Sequence, residues 1–365
     1  MADKGNFCVI MAGGAGERFW PMSRKSCPKQ FIDILGNGKS LLQKTVERMQ
    51  RVCPLENIYI VTNEIYYQLT KEKIPQLSDN QIILESVRRN TAPCIAYANA
   101  KIKKRNPNAN IVVTPADHII IDEDSFVEHL NAALNCTAKN PWLLTLGIQP
   151  TRPDTGYGYI QFDEFSRYVP EQRITKVKLF AEKPALELAQ QFIESGDFLW
   201  NAGIFVWRLP IIEKAFELHL PEMKDLFDGV AYAMDTPEEK SKMKEIYQQC
   251  TSISIDYAIM EKADNAHVLI SDFGWSDLGT WTSLFEHLPH DENGNAIQSK
   301  RDVFTYQSTN CIINTPKDKI VVVQGLEDYI VAEHDGVLLI CKKTDEQEIR
   351  RYVNDVELRK GEKFT

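Results

Sequence analysis

Apolar positions along this chain alternate between two periods. Short unbroken apolar runs over 7–11, 58–61, 82–84, 111–113 and 142–148 have the length and β-branched content of buried strands. Between them the apolar residues recur at helical spacing. Leu41, Leu42, Val46, Met49 and Val52 form one such stripe, opened by Ser40 as a cap. Further helices are expected around 66–73, from Ala92 past Ile102 with Thr91 as cap, over 126–138 with Asp122, Asp124 and Ser125 as candidate caps, and over 186–195, closed by Gly196. Alternating strands are expected at 159–162 and 174–180, helices with charged faces at 211–219, 223–233 and 238–249, and a strand at 266–271. The strand–helix–strand rhythm predicts an α/β fold: a Rossmann-like, mostly parallel sheet with helices on both faces. Right-handed crossovers would set the loops after each strand along one edge, where such sheets bind ligands. Near Pro289 the pattern changes. A polar, turn-prone segment from Asp291 to Asn295 precedes β-rich runs at 303–306, 311–314, 319–323, 329–333 and 337–340, then a helix over 346–355. The expected division is a large domain over 1–289 and a small β-rich C-terminal domain over 290–365.

Composition narrows the class. With 43% hydrophobic and 25% charged residues in 365, the chain has the balance of a soluble globular enzyme. A net charge of −9 disfavours a nucleic-acid partner. No apolar run is long enough to span a bilayer, and the first six residues carry no signal-peptide core. The 8 cysteines are scattered singly with no Cys-x-x-Cys pair, so they read as small core residues of a reduced, cytoplasmic protein.

Against this acidic background one stretch stands out. The first strand breaks into Gly13, Gly14 and Gly16, and Arg18, Arg24, Lys25 and Lys29 follow. Glycine lets backbone N–H groups press against an anion, and phosphate is the usual occupant. The Walker pattern is absent, and Phe19 stands where the dinucleotide fingerprint needs its third glycine. The expected ligand is therefore a polyphosphate held by a long cationic loop. Asp117, just past the strand at 111–113, is well sited for a hard cation such as Mg²⁺. His118 beside it is read as packing.

The pattern Gly13-Gly14-x-Gly16-x-Arg18-Phe19-x-Pro21, followed by Pro28-Lys29-Gln30-Phe31, resembles the signature of the sugar-nucleotide pyrophosphorylases, a nucleotidyltransferase family. The Pro-Lys-Gln-Phe form is similar to the mannose-1-phosphate guanylyltransferase branch. Other segments carry the same resemblance: Arg89-Asn90-Thr91-Ala92-Pro93, Pro115-Ala116-Asp117-His118, Thr155-Gly156-Tyr157-Gly158-Tyr159-Ile160, Phe180-x-Glu182-Lys183-Pro184, Trp200-Asn201-Ala202-Gly203, Ser254-x-Asp256-Tyr257 with Glu261, and Trp275-Ser276-Asp277-Leu278-Gly279. All lie before residue 282. The resemblance implies a nucleotide-diphospho-sugar transferase fold and transfer of GMP from GTP to α-D-mannose 1-phosphate, with Mg²⁺ on Asp117 and Asp277. It implies Arg18, Lys29 and Lys183 as catalytic residues. Ala12, Gly13, Gly14, Gly16, Glu85, Arg89, Asn90 and Thr91 would bind the nucleotide, Glu85 accepting from guanine N1–H and N2. Gly156, Tyr157, Glu182, Lys183 and Asn201 would bind the sugar phosphate. The Ser254–Glu261 segment is expected to support the site structurally. The partners expected are GTP and mannose 1-phosphate, with no nucleic acid and no membrane, and a homodimer formed through the C-terminal domain. Some longer relatives continue into a phosphomannose isomerase domain, for which this chain ends too early. Two other readings stay open: the same chemistry on another NTP and sugar 1-phosphate, and a non-catalytic sensor of sugar nucleotides.

Overall fold

The computed structural model describes residues 4–14, 17–169, 173–299, 302–316 and 318–365. They form two compact units. The first comprises Met1–Gly13, Thr45–Ala116 and Ile120–Trp275; the second comprises Gly14–Lys44, Asp117–Ile119 and Ser276–Thr365. The sequence pattern draws a single line near 290, whereas the second unit also takes in the basic loop after the first strand.

In the first unit the strands are β1 (Asn6–Met11), β2 (Ile58–Asn63), β3 (Ile82–Glu85), β4 (Asn110–Pro115), the two-residue β5 (Ile119–Ile120), β6 (Leu143–Ile148), β7 (Gly158–Val169), β8 (Ile174–Glu182), β9 (Phe198–Arg208) and β10 (Ala266–Ser271). Nine of them make one sheet in the order β3-β2-β1-β4-β9-β6-β10-β8-β7. Its β1 core is parallel, Val9 standing opposite Tyr59 of β2 and Val113 of β4. Two strands run against the others: β9 lies antiparallel between β4 and β6, and β8 pairs antiparallel with both β7 and β10. The reason is connection length. Only residues 170–173 separate β7 from β8, far fewer than the dozen or so a parallel crossover needs.

The helices are α1 (Leu41–Met49), α2 (Tyr67–Lys73), α3 (Thr91–Arg105), α4 (Glu123–Lys139), α5 (Leu186–Ser195), α6 (Leu209–His219), α7 (Pro221–Gly229), α8 (Glu239–Gln249), α9 (Trp281–His287) and α10 (Ile349–Lys360). Their ends follow local chemistry. The Ser40 hydroxyl accepts from Gln43 N while the Gln43 side chain accepts from Ser40 N. Asp122 caps α4 by accepting from Ser125 N at 2.9 Å. Gly196 ends α5 at φ +78°. At α3 the cap is Asn90, not Thr91: the Asn90 side chain accepts from Thr91 N, and the Thr91 hydroxyl instead accepts from Ile255 N at 2.8 Å. The main core packs Val9, Val61, Ile111 and Val113 of the sheet with Ile95, Ala98 and Ile102 of α3 and with Ile212, Phe216 and Tyr247.

In the second unit, after the short β11 (Trp275–Ser276), β12 (Ala296–Gln298), β14 (Ile312–Asn314), β16 (Tyr329–His334) and β17 (Val337–Lys342) form a four-stranded sheet, and β13 (Val303–Tyr306) pairs with β15 (Val321–Gln324). The core of this unit joins Phe19, Trp20, Met22 and Ile34 to Leu284, Ile312, Ile330 and Val353 around Trp281. Much of the basic loop serves this packing. Arg24 donates to His334 O at 2.8 Å and Lys363 O at 3.3 Å, Lys25 pairs with Glu357 at 2.6 Å, and Trp20 Nε1 donates to Phe364 O at 2.7 Å. All eight cysteines are free thiols and all but Cys27 are buried. Among the described residues no helix is long and apolar enough to cross a membrane.

Trp281 is fully buried, packs at a 55° tilt against Phe19 with centroids 5.5 Å apart, and donates its indole N–H to Trp20 O. Trp281→Ala is expected to lower unfolding stability by about 3–5 kcal/mol, measured by urea denaturation. A loss below about 1 kcal/mol would show that this indole does not organise the second unit.

Candidate active site

The candidate residues are distributed over both units, and each group is built within its own. In the second unit the chain after Gly14 turns through a short 3-10 helix carrying Arg18 (Glu17–Phe19) and another that begins at Lys29 (Lys29–Phe31). The Lys29 ammonium is buried. It lies 3.0 Å from Asp117 Oδ2 and donates to Asp277 O at 2.8 Å and Leu278 O at 3.0 Å. An ammonium has three N–H donors, and these three acceptors match them. Leu278 sits at φ +47°, a rare state for a branched side chain, and its carbonyl is one of the three. Gln30 donates to Gly14 O at 3.0 Å, fixing the loop. A Cβ on Gly279 would stand 2.9 Å from Asp277 Oδ2 and 3.3 Å from Arg18 Nη1. Only glycine at 279 lets Asp277 and Arg18 flank the same backbone.

Burial pushes the Asp117 carboxyl up, but the Lys29 charge, His118 3.9 Å away and hydrogen bonds to Lys29 and its own backbone outweigh it, and the group is held below the ordinary carboxylate range. Asp117 is thus ionised at neutral pH. Lys29 meets Asp117 through its carboxylate and Asp277 through its backbone carbonyl, and both aspartates carry hard carboxylate oxygens. Among the described residues no group of three or more His, Cys, Asp or Glu side chains is assembled for a metal. Mg²⁺ uses one or two carboxylates and completes its shell with phosphate oxygens and water, so this pair fits that ion.

In the first unit Glu85, at the end of β3, is 6% exposed. Burial pushes its carboxyl up to about 7, against the opposing pull of the Tyr247 hydroxyl, which donates at 3.0 Å, and of Arg88. A Cβ on Gly13 would lie 3.6 Å from Glu85 Oε2, so the end of the glycine loop meets this carboxylate; Ala12, next to it, is buried and donates its N–H to Val61 O. Arg89 is used structurally, its Nε donating to Tyr247 O at 2.9 Å. Asn90, at φ +67°, and Thr91 serve the start of α3 as described. Gly16 lies outside the described residues.

A second group in the first unit surrounds the β7–β8 pair. Lys183, just after β8, adopts φ +46°, donates its N–H to Tyr157 O and holds its ammonium 3.2 Å from Glu182 Oε1. A Cβ on Gly158 would come within 2.6 Å of Glu182 Oε2, so this glycine is what admits the carboxylate. Asn201 donates to Asp256 Oδ1 at 2.7 Å and accepts from Thr145 and Gly203 N, both at 3.1 Å. Gly158, Glu182, Asn201 and Asp256 share one small cleft with Tyr257 and Glu261. Gly156 is fixed by donating to Asp154. The Tyr157 ring is core, packed edge-on between Trp200 and Trp275 at 5.0 and 5.1 Å. Burial pushes the Asp256 carboxyl up to about 6, with the Asn201 amide opposing and the Glu182 charge adding. The pattern-based expectation gave this segment a supporting role. The structure adds Asp256, Gly158, Gly279 and Tyr247 to the candidate groups. Only Asp256 and the two glycines had a signal in the motifs; the Tyr247–Glu85 pair, 162 positions apart, had none.

The model of the nucleotidyl transferase family matches residues 7–294. Mannose-1-phosphate guanylyltransferase of Salmonella montevideo is 36% identical over 361 residues, covering 96% of this chain and 74% of that protein. Alginate biosynthesis protein AlgA of Pseudomonas aeruginosa is 34% identical over 365 residues, covering 96% and 72%. Among solved structures, one described as mannose-1-phosphate geranyltransferase from Thermus thermophilus superposes with a TM-score of 0.86 at 27% identity, over 97% of this chain and 99% of the other. This chain belongs to the nucleotidyl transferase family.

Proposed function

We propose that this chain transfers GMP from GTP to α-D-mannose 1-phosphate, releasing pyrophosphate and GDP-mannose. The observation that carries this reading is the Lys29 ammonium joined to Asp117 and to the backbone of Asp277, in a chain whose relatives bear the guanylyltransferase name over most of their length. The acceptor phosphate already has a charged oxygen, so no general base is needed. That oxygen attacks the α-phosphorus, the bond from the α-phosphorus to the bridging oxygen breaks, and pyrophosphate departs with the electron pair. The barrier is repulsion between anions, and the protein lowers it by neutralising charge and aligning the groups.

Each residue then has a role. Backbone N–H groups of Gly13, Gly14 and Gly16 hold the triphosphate, with Ala12 fixing the start of the loop through Val61 O, and Arg18 and Lys29 stabilise the departing pyrophosphate. Asp117 and Asp277 would hold Mg²⁺, which when bound neutralises phosphate oxygens. Glu85 accepts from guanine N1–H and N2, with Arg89, Asn90 and Thr91 shaping that pocket. Lys183 anchors the acceptor phosphate, while Glu182, Asn201, Gly156 and Tyr157 orient the sugar, with Asp256 holding the Asn201 amide in place. We place the protein in the cytoplasm as a homodimer formed through its β-rich C-terminal part. The sheet with helices on both faces acts as the rigid frame from which the loops work.

A panel of four NTPs against mannose, glucose and N-acetylglucosamine 1-phosphates, read by pyrophosphate release, is expected to give its highest kcat/KM with GTP and mannose 1-phosphate. A different best pair, or GDP-mannose binding without any pyrophosphate, sinks the assignment. Asp277→Ala should lower kcat by about a hundredfold to a thousandfold with an unchanged far-UV spectrum and melting midpoint; near-normal turnover removes Asp277 from the machinery. Ionised Glu85 accepts two guanine donors, whereas its protonated form presents a donor to them. Because the free carboxyl titrates at about 7, KM for GTP should be flat above that pH. Below it KM should climb roughly tenfold per pH unit, with kcat at saturation little changed. In Glu85→Gln, KM should be raised and free of that slope. A wild-type KM that stays level between pH 5.5 and 8 contradicts the base-reading role.

A further inference from the structure

Away from every group described above, a cavity of about 250 Å³ lies among α3, α6 and α7. One face of α3 supplies Ala96, Asn99, Ala100 and Lys103, spaced i, i+3, i+4 and i+7 as a helix requires. Phe216 of α6 and Phe227 of α7 form its apolar walls, and Lys103, Lys104 and Lys224 border it. Glu213 holds Lys103 at 2.7 Å, Asp228 holds Lys224, and Lys104 donates to Met234 O at 2.6 Å. Asn99 is 4% exposed, and among the described residues neither its amide nitrogen nor its oxygen has a hydrogen-bond partner.

A packing defect would not combine these features. A buried amide with both halves unpaired is costly, and buried polar groups are as a rule satisfied. Leucine at 99 would remove that cost, and larger residues in place of Ala96, Ala100 and Ala231 would fill the space. We propose that the cavity is a second ligand site that takes a nucleoside monophosphate. The base lies against Phe216 and Phe227, because every base has a π-face for an aromatic wall. Its edge meets Asn99 once that amide turns toward the cavity. A primary amide offers a donor and an acceptor side by side, and a nucleobase edge returns the complementary pair, which a hydroxyl or an alkyl group does not. The phosphate lies with the three lysines, replacing Glu213 and Asp228 as the partners of Lys103 and Lys224 while Lys104 keeps its bond to Met234 O. The volume falls below the roughly 300 Å³ at which ordinary ligand pockets begin, so the occupant is one small nucleotide and not a dinucleotide.

The test is equilibrium dialysis with AMP, GMP, CMP and UMP separately, on the full chain and on Glu85→Gln, Asn99→Leu and Lys224→Ala. At least one of the four is expected to bind once per chain, to bind equally well to Glu85→Gln, and to lose about tenfold or more in affinity in Asn99→Leu and Lys224→Ala. Asn99→Leu should melt no lower than the parent; if it does melt lower, Lys224→Ala decides. The proposal is overturned if none of the four binds, if all binding disappears in Glu85→Gln, or if the lysine variant binds as tightly as the parent. Because the readout is binding alone, failure of the transfer reaction leaves this result interpretable.

Discussion

One buried ammonium, that of Lys29, ties together three distant segments of the second unit. Taking an ion of that size out of water is unfavourable by several kcal/mol unless its donors are met, and Lys29 meets them with a carboxylate and two carbonyls. Those acceptors come from segments far apart in the chain: 29 reaches 117 and 277. The constraint therefore does more than fix a side chain. It sets the end of the β4 loop and the turn at Asp277–Leu278 against the same point, and Leu278 takes a left-handed backbone conformation that presents its carbonyl there. A phosphate oxygen approaching Lys29 competes with Asp117 for one N–H, the other two staying on backbone. The lysine can thus exchange a charged partner without losing its position.

The carboxylates show how environment divides labour among chemically similar groups. Asp117 is kept ionised by the lysine beside it. Glu85 and Asp256 have no such cation in contact, and burial raises both toward neutrality. An acid held charged suits a cation or a transferring phosphoryl group. Acids poised between charge states suit hydrogen-bond recognition of a base and of a neighbouring amide. Three of the nine non-glycine residues at positive φ among the described residues also fall here, the other six lying elsewhere. Asn90, Lys183 and Leu278 are non-glycine residues at positive φ, and each stands at the edge of one candidate group, where sparsely populated conformations tend to collect.

Much of this was legible in the sequence, because strands such as 266–271 and helices such as 186–195 are written in local periodicity and caps. The β7–β8–β9 arrangement was not, since an apolar run states its burial but not its direction; only the short connection excluded a parallel step. The extent of the second unit was hidden for a different reason. Trp20 meets Phe364 across 344 positions and Arg24 meets His334 across 310, and no local pattern encodes such partners. The motifs grouped Glu182 with Asn201, which line one cleft, yet left Asp256 as scaffold, because a single aspartate in an apolar segment carries no sign of the amide it will face.

The basic loop shows where charge counting fails and what replaces it. Arg18, Arg24, Lys25 and Lys29 look equivalent in the sequence, one cationic cluster next to a glycine turn. Arg24 donates to carbonyls and Lys25 pairs with Glu357, so both are committed to holding the C-terminal segment. Lys29 instead pairs with the Asp117 carboxylate at 3.0 Å, and the Arg18 guanidinium lies beside Gly279. Proximity along the chain made the four a group; their partners separate them. What differs is the segment each acceptor belongs to: the C-terminal segment for Arg24 and Lys25, the segments at Asp117 and Asp277 for Lys29. Arg24 and Lys25 are thereby tied to the C-terminal segment, and Lys29 is set apart from them by facing Asp117 and the turn at Asp277–Leu278.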